Sequence, residues 1–309
     1  MGTPTASEVT HAVMREWRTS KPVVGLMGEF SSGKSTLLNF ILQQEIATTK
    51  VTATPLPPIW FTYSDEPFAH GLREDGTIDE LDLTDTRADY RETYLAMRRG
   101  LDCAALQECD IVDCPGISDP DLGKAALRFL QSYFDFVIWC TGASQAWRQT
   151  DKVAFEKLAK STRDHSILVV TRIDKLRNAT DRDKVMKRVR AETSDLFGYV
   201  LPLATPKASA VALQDRNAAL GGAWVETGGF DFATAFATAV SNTSQNAASD
   251  PKRAASKSVP ATAKKGEEKS SSSGVKDRAT DGPREFLQSA LEFLRNESQN
   301  GPYLSRLII

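Results

Sequence analysis

Residues 22–42 read Pro22-Val23-Val24-Gly25-Leu26-Met27-Gly28-Glu29-Phe30-Ser31-Ser32-Gly33-Lys34-Ser35-Thr36-Leu37-Leu38-Asn39-Phe40-Ile41-Leu42. The run from Pro22 to Met27 is short and apolar and ends at a glycine, the appearance of a parallel strand buried on both faces. Lys34–Leu42 then reads as a helix. Between them Gly28–Ser35 fits G-x-x-x-x-G-K-[ST], the phosphate-binding loop, in the strand–loop–helix setting it requires. The glycines let the backbone curl so that successive N–H groups point at phosphate oxygens. The helix N-terminus adds positive potential. Gly28, Glu29, Ser31, Ser32, Gly33, Lys34, Ser35 and Thr36 are therefore the candidate phosphate-binding positions. Lys34 would reach the β- and γ-phosphates, and the Ser35 hydroxyl would ligate Mg²⁺.

Other buried-strand candidates are Ile59–Tyr63, Asp110–Val112, Phe136–Cys140, Ile167–Thr171 and Val200–Ala204. Helical patterns near 122–133, 151–161 and 181–197 separate several of them. Such alternation implies an α/β fold, a three-layer P-loop NTPase domain with a mostly parallel central sheet. Glu74-Asp75-Gly76 suggests a hairpin inserted before the third strand. Helices at the two ends of the chain would be peripheral.

Two downstream elements speak to the base and the metal. Asp113-Cys114-Pro115-Gly116 closes an apolar run. Asp113 would hold Mg²⁺, directly or through water, and the Gly116 amide would contact the γ-phosphate. Thr171-Arg172-Ile173-Asp174 follows Ile167-Leu168-Val169-Val170 and has the [NT]-[KR]-x-D form of GTPases. The Asp174 carboxylate can accept from guanine N1–H and N2–H₂, a donor pair that adenine lacks, so this element selects GTP over ATP. The Arg172 side chain could lie over the base and ribose. Thr205-Pro206-Lys207 is a candidate for the remaining base-contacting loop, with Thr205 as its contact. For the threonine that completes the Mg²⁺ shell, the interval Thr48–Pro55 offers Thr52, with Thr54 as runner-up.

Composition frames this reading. Of 309 residues 41% are hydrophobic, enough for a sizeable core, and the formal net charge of −2 gives no overall attraction for nucleic acid. Cys103, Cys109, Cys114 and Cys140 lack C-x-x-C spacing and read as reduced thiols. His11, His70 and His165 are too scattered for a metal site. No apolar run approaches the ~20 residues of a membrane span, and the start of the chain has no signal-peptide pattern. Met1-Gly2 resembles a myristoylation start, but Ala6 stands where Ser or Thr is wanted. The expected location is the cytoplasm, with peripheral membrane contact through a partner.

The domain plan expected is a helix within residues 1–20, a nucleotide-binding domain over 21–245, a disordered Ser/Ala/Lys-rich linker over 246–282, and a helix with an apolar tail over 283–309. Val9, Val13, Met14 and Trp17 are at helical spacing, as are Phe286, Leu287, Leu291 and Leu294.

Gly28–Asn39 resembles the P-loop of bacterial dynamin-like proteins, and Val51-Thr52-x-x-Pro55-Leu56 resembles dynamin's switch I. The D-x-x-G and T-R-I-D elements fit that superfamily, as does the stretch from Phe136 to Asp151 with Thr141, Ser144, Gln145, Trp147 and Asp151. The resemblance covers about residues 20–240. It implies weak nucleotide affinity, GTP hydrolysis with Mg²⁺ stimulated when two G domains meet, and membrane remodelling. It makes Ser31, Lys34 and Thr52 the catalytic candidates.

The sequence also departs from the family. Phe30 stands where eukaryotic dynamins carry a catalytic Gln, and Ile117 follows the D-x-x-G glycine where Ras-like proteins hold water with Gln. Slow basal turnover is the expectation, raised by a homodimer or by a hetero-oligomer with another dynamin-like or stalk-bearing protein. No segment of these 309 residues is expected to form the long helical stalk of membrane-bending dynamins, although the helix near 6–19, one near 231–240 and one near 284–296 could form a short neck bundle. The alternatives are a nucleotide-dependent switch and a structural GTP-binding subunit of a hetero-assembly.

Overall fold

A computed structural model describes residues 5–46, 56–83, 90–117, 130–208 and 225–249. They form nine strands and eight helices. The strands are β1 (Val23–Gly28), β2 (Ile59–Tyr63), β3 (Phe68–Leu72), β4 (Ile78–Glu80), β5 (Ala96–Leu101), β6 (Asp110–Asp113), β7 (Phe136–Gly142), β8 (Ile167–Thr171) and β9 (Tyr199–Leu203). The helices are α1 (Ala6–Trp17), α2 (Lys34–Leu42), α3 (Tyr90–Thr93), α4 (Ala104–Glu108), α5 (Gln149–Glu156), α6 (Lys160–Arg163), α7 (Ala179–Thr193) and α8 (Gly229–Ser249).

All nine strands share one sheet in the order β4-β3-β5-β2-β6-β1-β7-β8-β9. The half from β6 through β9 is parallel throughout. β2 meets β6 antiparallel, while β3 pairs antiparallel with both β4 and β5. The expected hairpin is the β3–β4 turn, where the Asp75 carboxylate accepts from the Thr77 amide at 2.8 Å.

Alternation along β1 divides the core between the two sheet faces. Val24 and Leu26 point into a cluster with Leu37, Phe40, Ile41, Phe232 and Phe236, so α2 and α8 cover that face. Val23 and Met27 point into the other cluster, with Met14, Trp17, Trp139, Phe155 and Val189, so α1, α5 and α7 cover the second face. The two helices expected to meet in a neck bundle thus lie on opposite sides of the sheet, and the third lies outside the described residues. The segment near 231–240 is part of a 21-residue helix that runs four residues past the expected boundary at 245.

α1 opens with a capping box. Thr5 N–H donates to Glu8 Oε2 at 2.7 Å, and Glu8 N–H donates to Thr5 Oγ1 at 3.3 Å. Beyond it, Asp110 at the start of β6 is fully buried. It accepts from Trp60 Nε1 (3.1 Å) and Thr62 Oγ1 (2.9 Å) and pairs with Lys21 Nζ at 2.9 Å. These partners tie the chain entering β1 to the antiparallel β2–β6 junction.

Candidate nucleotide site

β1, β6, β8 and β9 bring the candidate residues to their carboxyl ends, where ligands bind in open α/β sheets. Gly28 ends β1 with φ 141°, and a Cβ there would collide with the Cys140 carbonyl oxygen of neighbouring β7. Ser32 N–H donates to Glu29 O at 3.2 Å to form the turn of the loop. α2 then begins at Lys34, with Leu37 N–H bonded to Gly33 O at 2.9 Å. Ser31 lies at φ 57°, left-handed for a residue with a side chain.

Lys34 is buried, and its Nζ donates to Gly28 O at 3.0 Å and Glu29 O at 2.7 Å. Burial pulls its ammonium pKa down, countered by nearby Asp113. Burial pushes the Asp113 carboxyl up to about 6, with Lys34 opposing the shift. Each charge thus acts on the other beside the loop, where Lys34 is buried and Asp113 is half-buried with its Oδ1 shielded from solvent. Among the described residues, Asp113 Oδ1, Ser32 Oγ and Thr205 Oγ1 are buried without a hydrogen-bond partner. Buried polar atoms left in this way call for a ligand, water or ion. Ser35 and Thr36 are half-buried on the first turn of α2.

Gly116 lies against the phosphate loop. A Cβ on it would come within 2.8 Å of the Phe30 nitrogen, so only glycine lets the two backbones approach. Ile117 N–H adds a bond to Gly28 O at 3.2 Å. Phe30 itself is 64% exposed.

The T-R-I-D segment is split by location. Thr171 is buried, and its hydroxyl donates to Ser32 O at 2.6 Å, so this residue holds the phosphate loop. Arg172 is exposed at φ 56°, and a 3₁₀ turn over Ile173–Lys175 follows. Ile173 is buried beneath that turn and Asp174 is half-buried on it. Thr205 begins a helical turn immediately after β9. Thr52, Thr54 and the rest of the interval 47–55 lie outside the described residues.

Residues to which sequence reasoning gave no role support this site from behind. Thr141 Oγ1 accepts from Trp147 N–H at 2.9 Å, fixing Trp147 at φ 56°. Asp151 accepts from Trp139 Nε1 at 2.8 Å and from Arg148 N–H at 3.0 Å. The available signal was the stretch from Phe136 to Asp151, in which polar residues interrupt an aromatic-rich run.

Residues 24–173 match the sequence profile of the Dynamin family. That stretch belongs to the dynamin family. The dynamin-family domain is also similar to Dynamin-like protein 2 of Campylobacter jejuni subsp. jejuni serotype O:23/36 (strain 81-176). The two are 24% identical over 191 residues, which cover 60% of this chain and 31% of that protein. The chain thus spans about a third of the length of this curated relative.

Among solved structures, it resembles an oligomerised bacterial dynamin pair described as a mechanism for long-range sensing and tethering of membranes. The TM-score is 0.47 at 19% identity, covering 64% of this chain and 33% of that one. It resembles Era in complex with MgGDPNP and a segment of 16S ribosomal RNA with a TM-score of 0.38 at 17% identity, covering 60% and 51%. The family is one of GTP-binding, GTP-hydrolysing proteins, and no helix among the described residues is long and apolar enough to cross a membrane.

Proposed function

We propose that this chain binds GTP through the loop Gly28–Thr36 and hydrolyses it slowly to GDP and phosphate. The observation that carries the reading is buried Lys34 in the loop together with Asp113 at the end of β6, whose Oδ1 is shielded from solvent and has no hydrogen-bond partner. A group of this kind suits a divalent cation: the donors are hard oxygens, as Mg²⁺ prefers. Ser35, Asp113 and Thr52 would hold it. When bound, Mg²⁺ neutralises charge on the β- and γ-phosphate oxygens.

The chain's own residues divide the remaining work. Lys34 exchanges its two carbonyl partners for phosphate oxygens. Amides of the loop, Ser31, Ser32 and Gly33 included, orient the triphosphate, and Gly116 N–H meets the γ-phosphate. Asp174 reads the guanine edge, with Arg172 over the base and Thr205 beside it. Phe30 and Ile117 have no polar atom to align water. Basal turnover is therefore slow, and a second G domain, of this chain or of a related stalk-bearing protein, completes the site. Membrane contact comes through such a partner. The same two residues favour a second reading, a switch that retains nucleotide and turns over little.

GTP hydrolysis measured over a protein concentration series, with and without liposomes, separates these readings. Specific activity that climbs with protein concentration supports dimer-stimulated hydrolysis. Flat activity with tight GTP retention supports the switch. Unchanged GTP affinity in Lys34→Ala by calorimetry would reject both.

A further inference from the structure

The chain is nearly neutral, but its charge is divided between the two edges of the sheet. Residues 65–83, which contain β3 and β4, carry seven acidic side chains against the single Arg73, a net of −6. Residues 148–193, which contain α5, α6, β8 and α7, carry thirteen basic against seven acidic side chains, a net of +6. β4 is the first strand of the sheet and β8 the last but one. Seven strand spacings of about 4.8 Å put β4 and β8 roughly 34 Å apart. That is several times the ~10 Å screening length at moderate salt, so the two faces cannot neutralise each other within one molecule.

We propose that this chain associates head to tail with a second copy of itself, the acidic β3–β4 edge of one molecule docking on the basic α5–α7 face of the next. The basic face has a groove of about 420 Å³, lined by Trp147, Arg148, Gln149, Lys152, Arg188 and Glu192. Arg188 is fixed there, its Nη2 donating to Ala146 O at 2.6 Å and its Nη1 to Glu192 at 3.2 Å. Val153, four residues after Gln149 on α5, is a large apolar side chain left 43% exposed. Opposite in charge, the acidic edge carries its own exposed apolar residues, Ile78 at 44% and Leu83 at 42%, beside Glu74, Asp75 and Glu80. An apolar centre with a charged rim is the usual anatomy of a protein interface. Acidic side chains on a short edge strand also discourage unwanted strand pairing. That role explains charge at one edge but not the matched excess of opposite sign at the other. A contact between two different surfaces of one chain is heterologous and builds rings or open chains, whereas nucleotide-site pairing of two G domains would be isologous.

The test is sedimentation of the full chain in nucleotide-free buffer, which keeps it independent of the GTP reading. Association is expected at about 50 mM salt and should weaken at least about tenfold by about 500 mM. Glu74→Lys with Glu80→Lys cuts the acidic segment from −6 to −2, and Arg148→Glu with Lys152→Glu cuts the basic one from +6 to +2. Each double variant alone should stay monomeric at low salt with an unchanged circular dichroism spectrum. Their equimolar mixture should regain pairwise association, because the intact basic face of the first variant then meets the intact acidic edge of the second. The proposal is overturned if the wild type stays monomeric at low salt. Binding of the basic face to anionic vesicles in place of self-association, or association of either double variant alone, overturns it equally.

Discussion

Thr171 Oγ1 lies 2.6 Å from the Ser32 carbonyl oxygen, joining the end of β8 to the phosphate loop across 139 residues of sequence. The same hydroxyl is 3.3 Å from Thr141 O at the end of β7. Thr171→Val keeps the shape of the side chain but leaves a buried carbonyl without its donor. Such a loss costs about 1–3 kcal/mol. Urea unfolding should show a destabilisation of that order, and GTP affinity should fall with it. A variant with wild-type stability and affinity would mean that the bond does not hold the loop.

Asp113 supplies a pH dependence whose direction is fixed by burial. Its carboxyl is raised to about 6, above the ~3.9 of an unfolded chain, so the folded protein holds this proton where the unfolded chain has lost it. The stability owed to this group is complete below about pH 4 and is lost as pH rises through about 6. Asp113→Asn, which mimics the protonated side chain, should therefore be more stable than the wild type at pH 8 without nucleotide, and the difference should shrink below pH 6. Mg²⁺-dependent GTP binding should weaken in the wild type over the same acid range. Thermal melts at several pH values check the first statement, and calorimetry checks the second.

Asp174 on its 3₁₀ turn is the candidate reader of guanine. A carboxylate accepting two hydrogen bonds from the base should be worth more than a neutral amide in its place. Asp174→Asn should weaken GTP binding by at least about tenfold, since charged hydrogen bonds contribute roughly 1.5–3 kcal/mol. Xanthine has a carbonyl where guanine has its amino group, so the Asn amide should improve binding of xanthosine triphosphate. Competition against a labelled GTP analogue measures both, and equal GTP affinity in the variant rejects the role.

Phe30 is the exposed apolar tip of the phosphate loop, with its backbone against Gly116. A phenyl ring has no group to orient water, so Phe30→Ala should leave basal turnover and nucleotide affinity unchanged. Its effect should appear only in the stimulated rate at high protein concentration. Loss of basal turnover at constant affinity would show that the ring takes part in the chemistry.

The parallel half of the sheet was legible because its strands are buried on both faces and read as unbroken apolar runs. Ile167–Thr171 in that half has the expected limits, as do Ile59–Tyr63 outside it and the helix Lys34–Leu42. Of the hairpin only the turn was expected, and β3 and β5 escaped notice as strands for a physical reason. Phe68–Leu72 contains His70 and Gly71, and β5 places Arg98 and Arg99 side by side, so neither looks apolar. Arg98 is tolerated because its guanidinium lies over the rings of Trp17 and Phe68 and donates to Trp17 O at 3.2 Å. That contact depends on α1, which is far from β5 in sequence. In the candidate site, spacing alone singled out the loop, Asp113 and Gly116, which the fold brings together. It gave no hint that the Thr171 hydroxyl faces the phosphate loop, because that orientation depends on how β8 and β1 flank β7.

Four of the five tryptophans, Trp17, Trp60, Trp139 and Trp147, belong to the cluster on the α1 side of the sheet, and the cluster under α2 and α8 contains none. Indole emission from these four therefore monitors half of the core. A fluorescence melt and a far-ultraviolet dichroism melt of this protein watch different material. If α8 detached first, the optical signal from those four indoles would stay silent while the helical signal fell.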